Sequence, residues 1–334
     1  MRDSRKTLNR RDFISRSLAG AGAGAAVILG GMGKPGAAQA QTAAGKSPAS
    51  MPIITRTLGK TGIKLPVVNM GVMNADNPEL VRKAFEVGIR HFDTAAGYQR
   101  GRNEEMVGSV LESLKAREQA IIATKVNIRP AQVASLSAAE LKDAFIRVAE
   151  GSLKRLRTDY IDILYIHDVS KVEDLGRQGF LDALTELKTQ KKVRFVGFST
   201  HQNMGPTLDE AARTGFYDVV LASFSYALAG YPGLRRSFEN AAAMGIGIVA
   251  MKTQCMQSWY REGLPTELQS FYGGTIVQTA VLKWVLQHEF ITCAVPGFTN
   301  FRELDEDFSV ARDLKYNSQE KKFLSDRNVQ LAMA

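Results

Sequence analysis

The 334-residue chain is 45% apolar and 23% charged, which suits a globular fold with a sizeable core and excludes a disordered or fibrous one. Its net charge of +9 is concentrated at the N-terminus: residues 1–40 hold seven Lys/Arg and two Asp, and the rest holds 36 basic against 32 acidic residues. No basic cluster with interleaved aromatics marks a nucleic-acid surface. The only two cysteines, Cys255 and Cys293, match no metal or CxxC spacing. They read as two buried free thiols, with a bridge between neighbouring strands as the alternative.

In chain order, Arg10-Arg11 precede a weakly apolar Gly/Ala-rich run from Leu18 to Gly33, and Ala38-Gln39-Ala40 follows. This order resembles a twin-arginine (Tat) signal peptide over residues 1–40, with cleavage after Ala40. It implies recognition by the Tat export machinery and an extracytoplasmic, periplasmic-type location. The run is too short and too weakly hydrophobic for a stable membrane anchor. Residues 41–52 are small and polar and read as a flexible leader.

Residues 53–334 show no break. A hairpin is expected at Ile53–Leu58 and Ile63–Val68, turning at Gly59-Lys60-Thr61-Gly62. Short apolar runs at 67–72, 89–93, 120–125, 160–167, 193–198, 218–222, 246–251 and 291–295 predict eight strands. Helical stripes lie between them: Met106, Val107, Val110, Leu111 and Leu114; Leu141 to Leu156 behind a capping box at Ser137–Glu140; and Val277, Ala280, Val281, Trp284 and Val285. Eight β–α alternations with continuously apolar strands predict an α/β fold, a single-domain (β/α)8 TIM barrel with the hairpin closing its bottom. No G-x-G-x-x-G follows an early strand, which argues against a doubly wound dinucleotide fold. The long connection 252–274 carries Trp259, Tyr260, Phe271 and Tyr272, either as a lid or as packing for the loop.

Four polar residues fall at the ends of three successive predicted strands: Asp93 and Tyr98 in His91-Phe92-Asp93-Thr94-Ala95-Ala96-Gly97-Tyr98, Lys125 after Ile121–Thr124, and His167 after Tyr160–Ile166. Barrels gather catalytic groups on that face. A lysine ammonium beside a phenol is expected to lower the tyrosine pKa, with a carboxylate anchoring the lysine and a histidine aiming a carbonyl oxygen. Singly, each residue reads as a strand-end pair or loop cap; together they form a proton donor for hydride addition. A metal-dependent hydrolase needs a His/Asp/Glu cluster that is missing, so no metal is expected.

These residues, with Leu58-Gly59-Lys60-Thr61-Gly62, with Glu104 and Gly108 after the Asp93–Tyr98 motif, and with Trp284 through Gly297, give residues 56–314 a sequence that resembles the aldo/keto reductases. The resemblance implies a (β/α)8 barrel using a nicotinamide nucleotide, NADP with NAD as the alternative, on a small-molecule carbonyl or alcohol. It implies Tyr98 as general acid, Lys125 and Asp93 as its tuners and His167 as the carbonyl-orienting residue. It places the nicotinamide near Ser199, Thr200, Met251 and Lys252, with Leu221 standing where a Gln is usual. It places the adenosine end at Pro296, Gly297, Thr299, Asn300, Arg302 and Glu306, with Glu303 replacing a common basic residue and Asp307 a usual Asn. Two cysteines cannot build the iron–sulfur extension that some members carry. Two alternatives accompany the reductase reading: an isomerase or epimerase with a tightly held, internally recycled nucleotide, and a nucleotide-sensing binding module.

Overall fold

The computed structural model describes residues 51–228, 232–254 and 275–326. The expected signal peptide, most of the leader, Cys255 and the aromatic residues of the long connection lie outside the described residues.

The expected hairpin is present as β1 (Thr55–Thr57) and β2 (Lys64–Pro66), antiparallel. Eight parallel strands follow: β3 (Met70–Gly71), β4 (His91–Asp93), β5 (Ile121–Val126), β6 (Ile161–Ile166), β7 (Val193–Thr200), β8 (Val219–Ser223), β9 (Gly247–Met251) and β10 (Cys293–Ala294), each paired with the next. Asn69 N donates to Ala294 O at 2.8 Å and Gly71 N to Pro296 O at 2.8 Å, which bring the first strand against the last and close the barrel. All eight strands match predicted runs, and β3 and β10, the two that meet at the closure, are only two residues each.

The helices are α1 (Pro78–Val87), α2 (Arg102–Ser113), α3 (Pro130–Ser135), α4 (Ala138–Leu156), α5 (Gln178–Thr189), α6 (Met204–Thr214), α7 (Pro232–Ala243), α8 (Thr275–Leu286), α9 (Phe301–Val310) and α10 (Ser318–Ser325). The Ser137–Glu140 capping box forms as the sequence implies. Among the described residues no helix is long and apolar enough to cross a membrane.

Two apolar cores result. The larger lies between strands and helices; the smaller fills the barrel interior with Ala123, Ile163, Tyr165, Val219, Leu221, Val249, Cys293 and Val295. Leu58, Ile63 and Leu65 of the hairpin join this inner cluster from below. Lys60 N bonds Gly245 O at 2.8 Å, and a Cβ on Gly59 would lie 2.3 Å from that oxygen, so only glycine allows the hairpin to seat this closely. The hairpin is the barrel's bottom plug.

One buried carboxylate ties three strands together. Asp162 on β6 accepts Ile122 N at 3.0 Å and pairs with Arg117 at 2.9 Å and Arg194 at 2.6 Å. Its side chain is 1% exposed. Removing it leaves the Ile122 amide buried without its acceptor and takes the carboxylate from Arg117 and Arg194. Asp162→Ala is therefore expected to cost about 3 kcal/mol of unfolding free energy, measured by urea titration of both proteins.

Candidate active site

Asp93, Lys125 and His167 stand at the C-terminal ends of β4, β5 and β6, and Tyr98 rises from the loop after β4. That loop has an unusual backbone: Gln99 and Arg100 have φ of 49° and 60°, and Gly101 has 90°. Left-handed non-glycine residues of this kind persist only where surroundings hold them. Here Gln99 Nε2 donates to Ala75 O at 3.0 Å, and Thr94 Oγ1 donates to Asn103 Oδ1 at 2.6 Å.

The start of α2 is bolted to the strands by Glu104. Its wholly buried carboxylate accepts from Thr124 Oγ1 at 2.5 Å and from Arg155 of α4 at 2.7 Å. Gly108 lets α2 lie directly on the end of α4, since a Cβ there would meet the Leu156 carbonyl at 2.6 Å. Glu104 and Gly108 thus hold the Tyr98 loop in place and do not face the reaction.

Lys125, 1% exposed, places its Nζ 2.5 Å from Asp93 Oδ1, 2.7 Å from Thr94 O and 3.3 Å from Tyr98 Oη. The Tyr98 and His167 rings meet edge to face with centroids 5.8 Å apart. The four predicted residues therefore form one constellation.

Its electrostatics differ from expectation in one respect. The Tyr98 pKa is raised above its ordinary value, not lowered: burial raises it, Asp93 adds to that, and Lys125 offsets them only in part. The phenol keeps its proton throughout the neutral range. Burial works against the Lys125 charge, but Asp93 and Tyr98 more than compensate, and its pKa is raised. His167 is held down to about 3 by burial and then by the charges of Lys125, His201 and Lys252, so its imidazole is neutral. A neutral imidazole with one N–H can donate to a carbonyl oxygen without competing as the acid.

The residues assigned to the nicotinamide end line the mouth from β7 to β9. Ser199 Oγ accepts Asp168 N at 2.9 Å, and Thr200 Oγ1 donates to Gln202 O at 2.9 Å. Met251 is half-buried at the end of β9, and Lys252 follows with φ 56°. Leu221 faces the inner apolar core. Two hydroxyls here went unnoticed in the sequence: Ser223 Oγ, at the end of β8, and Thr253 Oγ1 are buried without hydrogen-bond partners. Ser223 was legible in principle, as a polar strand-end residue continuing the inward alternation of Val219 and Leu221.

At the adenosine end, Pro296 and Gly297 follow β10 and Gly297 bridges to Gly71. Asn300 caps α9, its Oδ1 accepting Glu303 N at 3.0 Å. Thr299 donates from both its N and its Oγ1 to the Glu303 carboxylate, at 2.7 and 2.8 Å. Arg302 pairs with Glu306 at 3.5 Å. Buried Asp307 is raised to about 7 by desolvation, against the donor Gln254 Nε2 at 2.6 Å.

A polar ligand fits this mouth, since the unpartnered hydroxyls of Ser223 and Thr253 and the free His167 Nδ1 lie buried along it. Among the described residues no group of three or more His, Cys, Asp or Glu could hold a metal.

Residues 68–324 match the aldo/keto reductase family. L-galactose dehydrogenase of Arabidopsis thaliana is 25% identical over 305 residues, covering 81% of this chain and 92% of that protein. Methylglyoxal reductase of Salmonella typhi is 30% identical over 242 residues, covering 72% and 84%. An aldo/keto reductase from Klebsiella pneumoniae, solved with NADP and acetate, shares the fold at a TM-score of 0.62, with 20% identity and coverage of 80% and 93%.

His91 and His167 are both lowered from 6.5 to about 3, chiefly by burial. Between those pH values the unfolded chain binds protons that the folded chain does not, so stability falls as pH falls from 6.5 toward 3. Urea midpoints taken across that window are expected to drop with a net proton uptake on unfolding, because His91 and His167 together outweigh the one proton that buried Asp307, raised to about 7, holds only in the folded chain; a flat midpoint would contradict these assignments.

Proposed function

The chain belongs to the aldo/keto reductase family and is an oxidoreductase of that family, and from this premise we propose that it interconverts small aldehydes, ketones or sugar-like carbonyl compounds and their alcohols with a nicotinamide nucleotide. The observation that carries the reading is Tyr98 Oη, still protonated, 3.3 Å from the Lys125 ammonium and beside neutral His167.

The nicotinamide ring, when bound, supplies or accepts the hydride. The protein's part is the proton and its placement. His167 donates a hydrogen bond to the carbonyl oxygen and orients it. As negative charge develops on that oxygen, Tyr98 gives up its proton. The phenolate left behind is stabilised by Lys125, whose charge Asp93 compensates. In the oxidative direction the same phenolate takes the proton back. Ser199, Ser223 and Thr253 would hold the nicotinamide end, and Gly297, Thr299 and Asn300 the adenosine end. NADP is the nucleotide to test first, after the neighbour solved with it, and NAD second. The names of the relatives suggest small polar carbonyls such as methylglyoxal and aldoses.

Tyr98→Phe is expected to cut turnover on a carbonyl panel by at least about 10³-fold while nucleotide binding, followed by fluorescence titration, stays within about twofold. Undiminished turnover would sink the assignment.

We further propose export by the twin-arginine route, supported by Arg10-Arg11, the apolar run to Gly33 and Ala38-Gln39-Ala40. Because that route carries folded proteins, a nucleotide could be loaded before export. Cell fractionation tests this. The unaltered chain is expected outside the cytoplasm and shortened by about forty residues, and Arg10→Lys/Arg11→Lys is expected to stay inside at full length.

A further inference from the structure

Beneath the Lys125–Asp93 pair the barrel interior holds polar atoms that the chemistry above does not use. His91 precedes Asp93 by two residues on β4, and Tyr165 precedes His167 by two on β6. Strand alternation puts both on the inner face, one layer below the site. Both are fully buried. Neither ring nitrogen of His91, nor the Tyr165 hydroxyl, nor Asp93 Oδ2 has a hydrogen-bond partner. Other buried carboxylates, Glu104, Asp162 and Asp218, are engaged by side-chain or backbone donors.

The groups are complementary. Burial and the Lys125 charge keep His91 neutral, with one N–H and one lone pair. Tyr165 offers one O–H, and Asp93 Oδ2 accepts. The layer therefore holds two donors, on His91 and Tyr165, and acceptors on His91, Tyr165 and Asp93. The Tyr165 ring is fixed against β7, since a Cβ on Gly197 would lie 3.0 Å from two of its carbons. Ile163, Val219 and Leu65 belong to the apolar cluster that fills the barrel interior. Buried polar atoms without protein partners are the usual sites of ordered internal water.

We propose that His91, Tyr165 and the free oxygen of Asp93 are joined through buried water into one network, and that His91 and Tyr165 are positioning residues that keep Asp93 ionised and aimed at Lys125. The catalytic half of this proposal rests on the reductase reading; the structural half does not. The titratable and charged groups facing the network are Asp93 on β4, Lys125 on β5, Tyr165 on β6, Cys293 on β10 and Tyr98 above. The Asp93 charge raises both Lys125 and Tyr98. Loosening its support therefore lowers both, and the alkaline fall of kcat/KM moves to lower pH.

Two experiments decide it. A high-resolution crystal structure of the protein is expected to show ordered water bonded to at least two of His91, Tyr165 and Asp93 Oδ2; a dry interior would overturn the network. In turnover assays, Tyr165→Phe and His91→Leu are expected to lower kcat by about threefold and tenfold. KM is expected to stay within about twofold and the alkaline limb to move down. His91→Gln, which keeps a donor, is expected to restore most of the rate. Folded variants with unchanged pH profiles would overturn the positioning role. If His91→Leu does not fold, Tyr165→Phe, which removes a single oxygen, carries the kinetic test. If the unaltered protein turns over no carbonyl, the reductase reading fails and with it the positioning role, while the crystal structure still decides the network.

Discussion

A lysine ammonium sealed at the top of the barrel, 1% exposed, is the constraint around which the mouth is organised. Such a charge is costly to bury and is tolerated only when paired and hydrogen-bonded. Lys125 meets that condition with Asp93 at 2.5 Å, the Thr94 carbonyl at 2.7 Å and the Tyr98 hydroxyl at 3.3 Å. Stability alone would be served as well by apolar packing. On the proposed mechanism the pair makes chemical sense, because its third partner is a phenol that gives up its proton and takes it back.

The remainder of the local structure holds that phenol still. Left-handed residues 99–101 turn Tyr98 back over the barrel, and Asn103 and Glu104 fix the far end of the turn. Glu104 in turn reaches Arg155, and Gly108 admits the α4 backbone beside it. Placement to a fraction of an ångström depends on such supporting contacts. Burial likewise keeps His167 neutral, which on the proposed mechanism lets it orient an oxygen while Tyr98 supplies the proton.

Much of this could be read before any fold was known. The eight strands, the hairpin plug, the Ser137 capping box and the four mouth residues follow from alternation, caps and strand-end chemistry. What could not be read depends on three-dimensional burial. A neighbouring ammonium suggests a lowered tyrosine pKa, yet desolvation of Tyr98 outweighs it, and desolvation is set by residues far apart in the chain. Ser223 and Thr253 are ordinary hydroxyls in sequence and become notable only when found buried without partners. The capture of Thr299 by Glu303 depends on side-chain direction at a helix start, which composition does not encode.

The pH dependence of kcat/KM for carbonyl reduction tests the central claim most directly, because it identifies the acid. If protonated Tyr98 supplies the proton while His167 stays neutral, the rate is flat through the neutral range and falls along one alkaline ionisation. A loss of activity with an ionisation near 6.5, the ordinary histidine value, would show that a histidine is the acid and would contradict the account.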